Sequence, residues 1–322
     1  MLEIAKRRHS ERIRGVLADG SAAARSALAA SWIRSSSCHG LSPEDASAPC
    51  TLTSSELREA QQRIEPLISA AQSSLDRLFR TIGANGCCVL LTDQQGVPVD
   101  RRGAEADDET FRRWGLWTGA IWSEAVEGTN GIGTCLAEER ALTIHRDQHF
   151  RARNIAMSCS VAPIYDHQGR LAAAIDVSSC RVDCTEGFVD LILASVADAA
   201  RRIEAEHFQR MFPQSRLIFV DCHKHGGGLL AVDRDDLVIG ATRSARLAHH
   251  LDDQRILARL HVDELLFPES RLDESLIHLE RSGVQHALAR TSGNVSAAAK
   301  ALGVSRATLY RKLDRLGLAH RA

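Results

Sequence analysis

Long stretches of helical periodicity in this chain enclose two short blocks in which apolar and polar positions alternate. ARSALAASWIRSSSCHG sets Leu28, Trp32 and Ile33 at helical spacing and stops at Gly40, ahead of the turn-like LSPED, which predicts a helix over 22–40. A second stripe, Leu57, Ile64, Leu67, Ile68, Leu75 and Leu78, predicts one helix over about 54–82. CCVLLTDQQGVPVD then reads as strand, polar turn at Gly96 and strand, and CSVAPIYDHQGRLAAAIDVSS repeats that form around Gly169. Helical segments around Trp114 and from Glu124 to Ala137 lie between these hairpins, so the expected unit is a mixed sheet with helices packed on it. Phe188, Ile192, Val196, Ala199 and Ile203 form a third stripe over 185–210, with Arg201, Arg202, Glu204 and Glu206 outside it. Beyond it, Leu229 to Val232 and Leu237 to Ile239 flank a DRDD turn, and a helix starts near Thr242.

The most complete set of local signals lies in NVSAAAKALGVSRATLYRKLDRL, from Asn294 to Leu316. Asn294 can cap a helix that runs to Leu302, Gly303 suits the left-handed residue that ends it, and Ser305 can cap the next. Val304 and Leu309 are placed for a hydrophobic staple. Leu309, Leu313 and Leu316 share one face of the second helix, while Ala307, Thr308, Arg311 and Arg315 turn the other way. Small residues flanked by Arg306, Tyr310, Arg311 and Lys312 suit a major groove, where Arg can be bidentate to guanine while Thr, Tyr and Lys reach phosphates. The expected DNA-contacting set is Asn294, Ser296, Ser305, Arg306, Ala307, Thr308, Tyr310, Arg311 and Lys312. The bland alternative is a solvated helical hairpin.

At these residues the chain resembles the Fis-type helix-turn-helix found at the C-terminus of many bacterial enhancer-binding regulators. LDESLIHLERSGVQHALARTSG, just upstream, is similar to the leading helix of that motif. The resemblance, over about 272–318, implies a homodimer on double-stranded DNA with a roughly palindromic operator.

Composition narrows the remaining options. The 322 residues allow two or three domains, and 44% apolar with 25% charged residues describes a folded protein. The formal net charge is −1, so DNA affinity must come from a local basic module. No apolar run approaches the ~20 residues that span a bilayer, and MLEIAKRRHSERIRG continues into charge rather than into a signal sequence, so a cytoplasmic location without membrane attachment is expected. The nine cysteines lack paired C-x-x-C spacing, and most are expected to be free thiols.

EGTNGIGT (127–134), ALTIHRDQHF and CSVAPIYD resemble the GAF domain of acetoin-catabolism-type regulators, and the SW-x-R and GL-x-P elements (Ser31, Trp32, Arg34; Gly40, Leu41, Pro43) resemble the segment preceding that domain. GAF domains are small-molecule sensors, so the resemblance implies a small-molecule effector. The expected lining is Trp114, Trp117, Trp122, Thr129, Asn130, Cys135, His145, His149, Phe150, Cys159 and Asp176, with the three tryptophans forming either an aromatic wall or plain core. His145, Asp147 and His149 alternate and could ligate a metal from one strand face, but the resembling family has no recognised metal there, so no metal or cofactor is expected. The hairpin after residue 211 resembles a short PAS-like element in part.

Gly128, Gly131 and Gly133 follow a helical segment and no Lys-Ser or Lys-Thr follows them, so neither they nor HGGGLL form a phosphate loop. Regulators with these two ends usually carry an AAA+ ATPase between them that drives the sigma-54 polymerase. No G-x-x-x-x-G-K-[ST] and no GAFTGA occurs in this sequence. The expected architecture is multidomain α+β: an N-terminal helical segment (1–74), a GAF sensor with its exit helix (75–210), a PAS-like linker (211–268) and an all-α Fis-type module (269–322). The expected function is that of a non-enzymatic, ligand-responsive regulator working as a dimer without ATP, with RNA polymerase or another regulator as a further partner. Two alternatives stand beside it: an adaptor or antagonist of a full-length regulator, and a thiol-dependent reductase using Cys87, Cys88, Cys135 and Cys159.

Overall fold

The computed structural model describes residues 2–83, 86–181, 186–222, 226–266, 272–291 and 293–318. Cys184, Thr185, His225 and Glu269 to Arg271, which enter the expectations above, lie outside the described residues. Two compact units divide the chain, 1–259 and 260–322.

The first unit opens with helices α1 (Leu2–Ala18), α2 (Ala22–Arg25) and α3 (Ala27–Ile33), the last capped by Ser26 and extended by a π-helical turn over Arg34–Cys38. Helix α1 lies in the segment expected to be helical, but no apolar stripe marked it in the sequence. Its apolar stripe is thin, Ile13 with Val16 and Leu17, and too sparse to register as a period, yet Ile13 is fully buried against Trp32 and Phe150. The single helix expected over 54–82 is two, α4 (Ser54–Arg63) and α5 (Glu65–Ile82). Pro66 in the first turn of α5 has no N–H to bond and its ring conflicts with the carbonyl four residues back, so the helix breaks at Ile64 (φ −122°, ψ 24°) and restarts. A reciprocal capping box between Thr53 and Glu56 starts α4.

Strands β1 (Cys87–Asp93) and β2 (Pro98–Arg102), helices α6 (Asp108–Arg113), α7 (Glu124–Glu127) and α8 (Gly131–Glu138), and strands β3 (Leu142–His145), β4 (Ser158–Tyr165) and β5 (Leu171–Ser179) follow. The sheet runs β2-β1-β5-β4-β3 and every pairing in it is antiparallel, so the mixed sheet expected from the alternation is corrected. Gly96 (φ +78°) and Gly169 (φ +74°) occupy the left-handed positions of the two predicted hairpin turns, where a side chain would be strained.

Both faces of this sheet are covered, which is why β1 reads as an unbroken apolar run. Cys87, Val89 and Leu91 face α5 and the long helix α9 (Glu186–Met211), whose stripe of Ile192, Val196, Ala199 and Ile203 is buried as predicted. Cys88 and Leu90 face the opposite side, against Phe111, Leu116, Trp122 and Ile132 from the connections.

A second antiparallel sheet, β6 (Arg216–Asp221), β7 (Gly227–Val232) and β8 (Val238–Ala241), precedes α10 (Arg243–His249) and α11 (Asp253–Leu257). The β7–β8 hairpin is the predicted one. Strand β6 was not foreseen, since as an edge strand with Phe219 exposed it shows no inward alternation. Arg243 fastens α10 to the first sheet: its guanidinium lies 4.1 Å from the Tyr165 ring and donates to Glu139 (3.0 Å) and to the Gly169 carbonyl (3.3 Å).

The second unit contains α12 (Val262–Leu266), α13 (Leu272–Arg290), α14 (Val295–Ala301) and α15 (Arg306–Arg315). Val284 and Ala287 of α13, Val295, Ala298 and Ala299 of α14, and Leu309, Leu313 and Leu316 form one small core. Such a core has little redundancy, so Leu313→Ala should cost about 2 to 5 kcal/mol. Hydrogen exchange of the α13–α15 amides should accelerate accordingly; unchanged protection there would contradict this packing.

Candidate effector site and DNA-binding face

The inner face of β5 carries Ala174, Asp176 and Ser178 in succession, as a period of two requires. Strand register sets Asp176 between Leu90 of β1 and Val161 of β4, and Ser178 between Cys88 and Cys159. Asp176 is completely buried. Ser178 Oγ donates to its Oδ2 (2.7 Å) and lies 3.0 Å from Cys159 Sγ, while Oδ1 has no hydrogen-bond partner among the described residues. Burial pushes this carboxyl up to about 7, opposed only by the Ser178 hydroxyl. His149, also fully buried, donates from Nδ1 to the Arg146 carbonyl (2.9 Å), leaving Nε2 against the Cys159 thiol at 3.5 Å; burial pushes the imidazole down to about 4, so it is neutral. Burial likewise holds the Cys88, Cys135 and Cys159 thiols well above their ordinary range.

Five of the eleven expected lining residues therefore converge on this interior: Trp122, Cys135, His149, Cys159 and Asp176. Trp114 packs, partly buried, against the same cluster, and the other five are placed elsewhere. Asn130 caps α8, accepting from Gly133 N–H (2.9 Å) and donating to the carbonyls of Trp122 (2.9 Å) and Gly128 (2.8 Å). Phe150 packs on Ile13 and Trp32. His145 bonds Ser158 (2.9 Å) and shares a reciprocal cap with Gln148. The single strand face expected for His145, Asp147 and His149 does not exist, because β3 stops at His145 and Arg146–Gln148 form a 3-10 turn. The tryptophans form no common wall. Trp122 is core, with its indole N–H on the Gly115 carbonyl (2.8 Å); Trp117 lies 4.1 Å from each of the Arg101 and Arg112 guanidiniums; Trp114 is half-buried at the end of α6.

Thr129 belongs to a network that links the two motifs read separately in the sequence. Glu124 is 5% exposed, yet Arg34 grips it with Nε to Oε2 (2.6 Å) and Nη2 to Oε1 (2.9 Å), Ser31 donates to Oε1 as well, and Thr134 Oγ1 lies within 3.4 Å. The Ser31 and Ser35 hydroxyls also meet Thr129 (2.7 and 3.2 Å), and Trp32 donates to the Gln148 carbonyl (2.8 Å). The SW-x-R element is thus the lock of the N-terminal helices onto the EGTNGIGT region. Ser178, which donates to Asp176, was missed by sequence reasoning. The available signal was Asp and Ser two apart inside the apolar strand AAAIDVSS.

In the second unit Asn294 and Ser305 cap α14 and α15, accepting from Ala297 N–H (3.1 Å) and Thr308 N–H (3.1 Å). Gly303 takes φ +66°, and Val304 packs on the core that holds Leu309, as the staple requires. Leu309, Leu313 and Leu316 are buried; Asn294, Ser296, Ser305, Arg306, Ala307 and Arg311 are exposed, with Thr308, Tyr310 and Lys312 half-buried. Arg306 reaches along the helix to Tyr310, with its guanidinium 5.6 Å from the ring centroid. Glu280 of α13 pairs with both Lys312 and Arg315, so these cations are already engaged within the module. Arg311 has no ion-pair partner among the described residues.

Comparison with known proteins agrees with this division. Residues 66–206 match the GAF domain model, and residues 277–316 match that of the bacterial regulatory proteins of the Fis family. The chain is 35% identical over 224 residues to the acetoin catabolism regulatory protein of Cupriavidus necator, covering 67% of this chain and 33% of that one. It is 29% identical over 178 residues to the acetoin dehydrogenase operon transcriptional activator AcoR of Bacillus subtilis, covering 55% and 29%. The chain thus spans about a third of the length of these relatives. The crystal structure of the Escherichia coli DhaR(N)–DhaL complex aligns with a TM-score of 0.50 at 18% identity, over 70% of this chain and 77% of that one, a likeness of fold. The chain carries a GAF domain and a Fis-type helix-turn-helix and is homologous to the acetoin catabolism regulators.

Proposed function

We propose that this chain is a ligand-responsive transcriptional regulator that reads DNA as a homodimer and acts without ATP hydrolysis. Residues 1–74 and 75–210 form its sensor, 211–268 a PAS-like linker and 269–322 the reading module. The observation that carries the proposal is α15, capped at Ser305 and packed through Leu309 and Leu313, with Arg306, Ala307 and Arg311 left exposed on its other side. Arg306 and Arg311 read base edges; Asn294, Ser296, Thr308 and Tyr310 hold phosphates, and Lys312 joins them once released from Glu280. A non-catalytic role is favoured by the sensor thiols, which burial keeps protonated, the opposite of what thiolate chemistry needs.

The effector belongs in the interior beside Asp176, whose Oδ1 lacks a donor. A small molecule bearing a hydroxyl satisfies it, and acetoin, after which two relatives are named, has that donor. Such a hydrogen bond contributes about 0.5 to 1.5 kcal/mol, and Asp176→Asn should weaken acetoin binding by up to about tenfold by calorimetry. Equal affinity of the variant would remove Asp176 from the site.

Replacing Arg306 and Arg311 together by Ala should abolish sequence-specific occupancy across the genome while the protein stays dimeric, each base contact being worth about 1 to 3 kcal/mol. Occupancy identical to that of the parent would end the direct-reading proposal.

Asp176 also makes stability depend on pH. Unfolded, its carboxyl ionises near 3.8; folded, near 7, so between these values the unfolded chain has lost a proton that the folded one keeps. Stability therefore falls as pH rises through that window and levels off above it. Glu204, pushed by burial to about 7 from 4.5, acts in the same sense. Asp176→Asn should be more stable than the parent at pH 8 by a few kcal/mol, at about 1.4 per pKa unit, with the gain vanishing near pH 4. Urea unfolding at both pH values checks this, and an equal difference at both would refute it.

A further inference from the structure

A groove of about 470 Å³ lies outside the interior just described, lined by the N-terminal segment (Lys6 of α1 and residues 46–49), by Arg113 and Trp114 at the end of α6, and by residues 153–156. That volume is on the scale of small-molecule sites. Its walls are largely apolar, with the Trp114 indole, the Pro49 ring, Ile155 and Ala156. Pro49 is held close by Gly115 (φ +74°), where any β-carbon would meet the proline ring within 2.8 Å.

The charged part of the lining is cationic, beside the neutral Ser47 and Asn154. Lys6 is matched by Glu3 (2.9 Å) on its own helix. Arg113 is exposed and has no ion-pair partner among the described residues. Arg153 is 17% exposed and gives one nitrogen to Glu127, but its Nε and Nη1 are shielded from solvent and have no hydrogen-bond partner among the described residues. A guanidinium accepts no hydrogen bonds, so only an acceptor can satisfy those donors, and next to Arg113 an anionic acceptor is favoured over a neutral one. A flat π-system suits the indole and the guanidinium groups together.

We propose that this groove is a second ligand site, taking a planar aromatic carboxylate whose ring lies along Trp114 and whose carboxylate is held by Arg153 and Arg113. Nothing in this depends on Asp176 or on the interior site. The occupant matches the lining because one anionic head answers the cations while the rest of the molecule meets apolar walls. A polyphosphate or nucleic acid strand would leave those walls unused.

The test is calorimetric titration of the full chain with benzoate, with benzamide as the neutral isostere. Benzoate should bind saturably at one site per chain and benzamide at least about tenfold more weakly. Arg113→Glu, at an exposed position, should weaken benzoate by a similar factor without lowering the melting temperature, whereas Asp176→Asn should leave its affinity unchanged. Absence of saturable benzoate binding would overturn the proposal. So would full affinity in Arg113→Glu, equal binding of benzamide, or loss of binding in Asp176→Asn with retention in Arg113→Glu, which would place benzoate in the interior instead.

Discussion

A carboxylate taken out of water must be met by charge and hydrogen bonds, and Glu124 is the point at which the first unit depends on that rule. Its partner does not come from its own neighbourhood. Arg34 arrives from ninety residues upstream, together with the Ser31 hydroxyl, and the same two turns of helix supply Trp32 and Ser35 to Gln148 and Thr129. Losing one member of a buried pair typically costs about 3 to 5 kcal/mol, because the other is left uncompensated. The N-terminal helices are therefore structural members of the sensor, held by polar specificity as much as by the apolar contacts of Ile13 and Trp32.

Asp176 is the counter-example within the same unit. It is as deeply buried as any residue of the sheet but meets only one hydroxyl, and it answers the desolvation by retaining its proton instead of acquiring a cation. Glu124 thus stands as a satisfied structural charge and Asp176 as an unsatisfied group. That contrast separates a compensated buried carboxylate from an uncompensated one among residues that look alike in the sequence.

Much of the fold was legible because the relevant signals are local. The caps at Asn294 and Ser305, the left-handed Gly303, Gly96 and Gly169, and the stripes of α9 and α15 each lie within a few residues of the structure they specify. The break before Pro66 was equally local but was outweighed by a continuous apolar stripe. Illegible features were those set by tertiary context: the thin stripe of α1, the edge strand β6, and the separation of Trp117, held against Arg101 and Arg112, from Trp114 and Trp122. The site divides along the same line. Asp176 and Cys159 were named as expected lining through the resemblance to the GAF domain and lie together in the interior, whereas the capping of Asn130 and the docking of Phe150 depend on partners that no local pattern reveals.

The strand order β2-β1-β5-β4-β3 places the first and last strands of the sensor side by side at its centre. On a ribosome, β1 must wait for the whole of the intervening chain before β5 can pair with it, and until then the apolar residues of both its faces lack their final cover. Closure of so distant a loop is entropically slow, and exposed strands of this kind are prone to aggregate. Helix α9 follows β5 directly and seals one side as soon as the pairing is made. Assembly of the sensor is thus a late event in its own synthesis, and truncation or pausing before residue 179 would leave an open sheet rather than a smaller working domain.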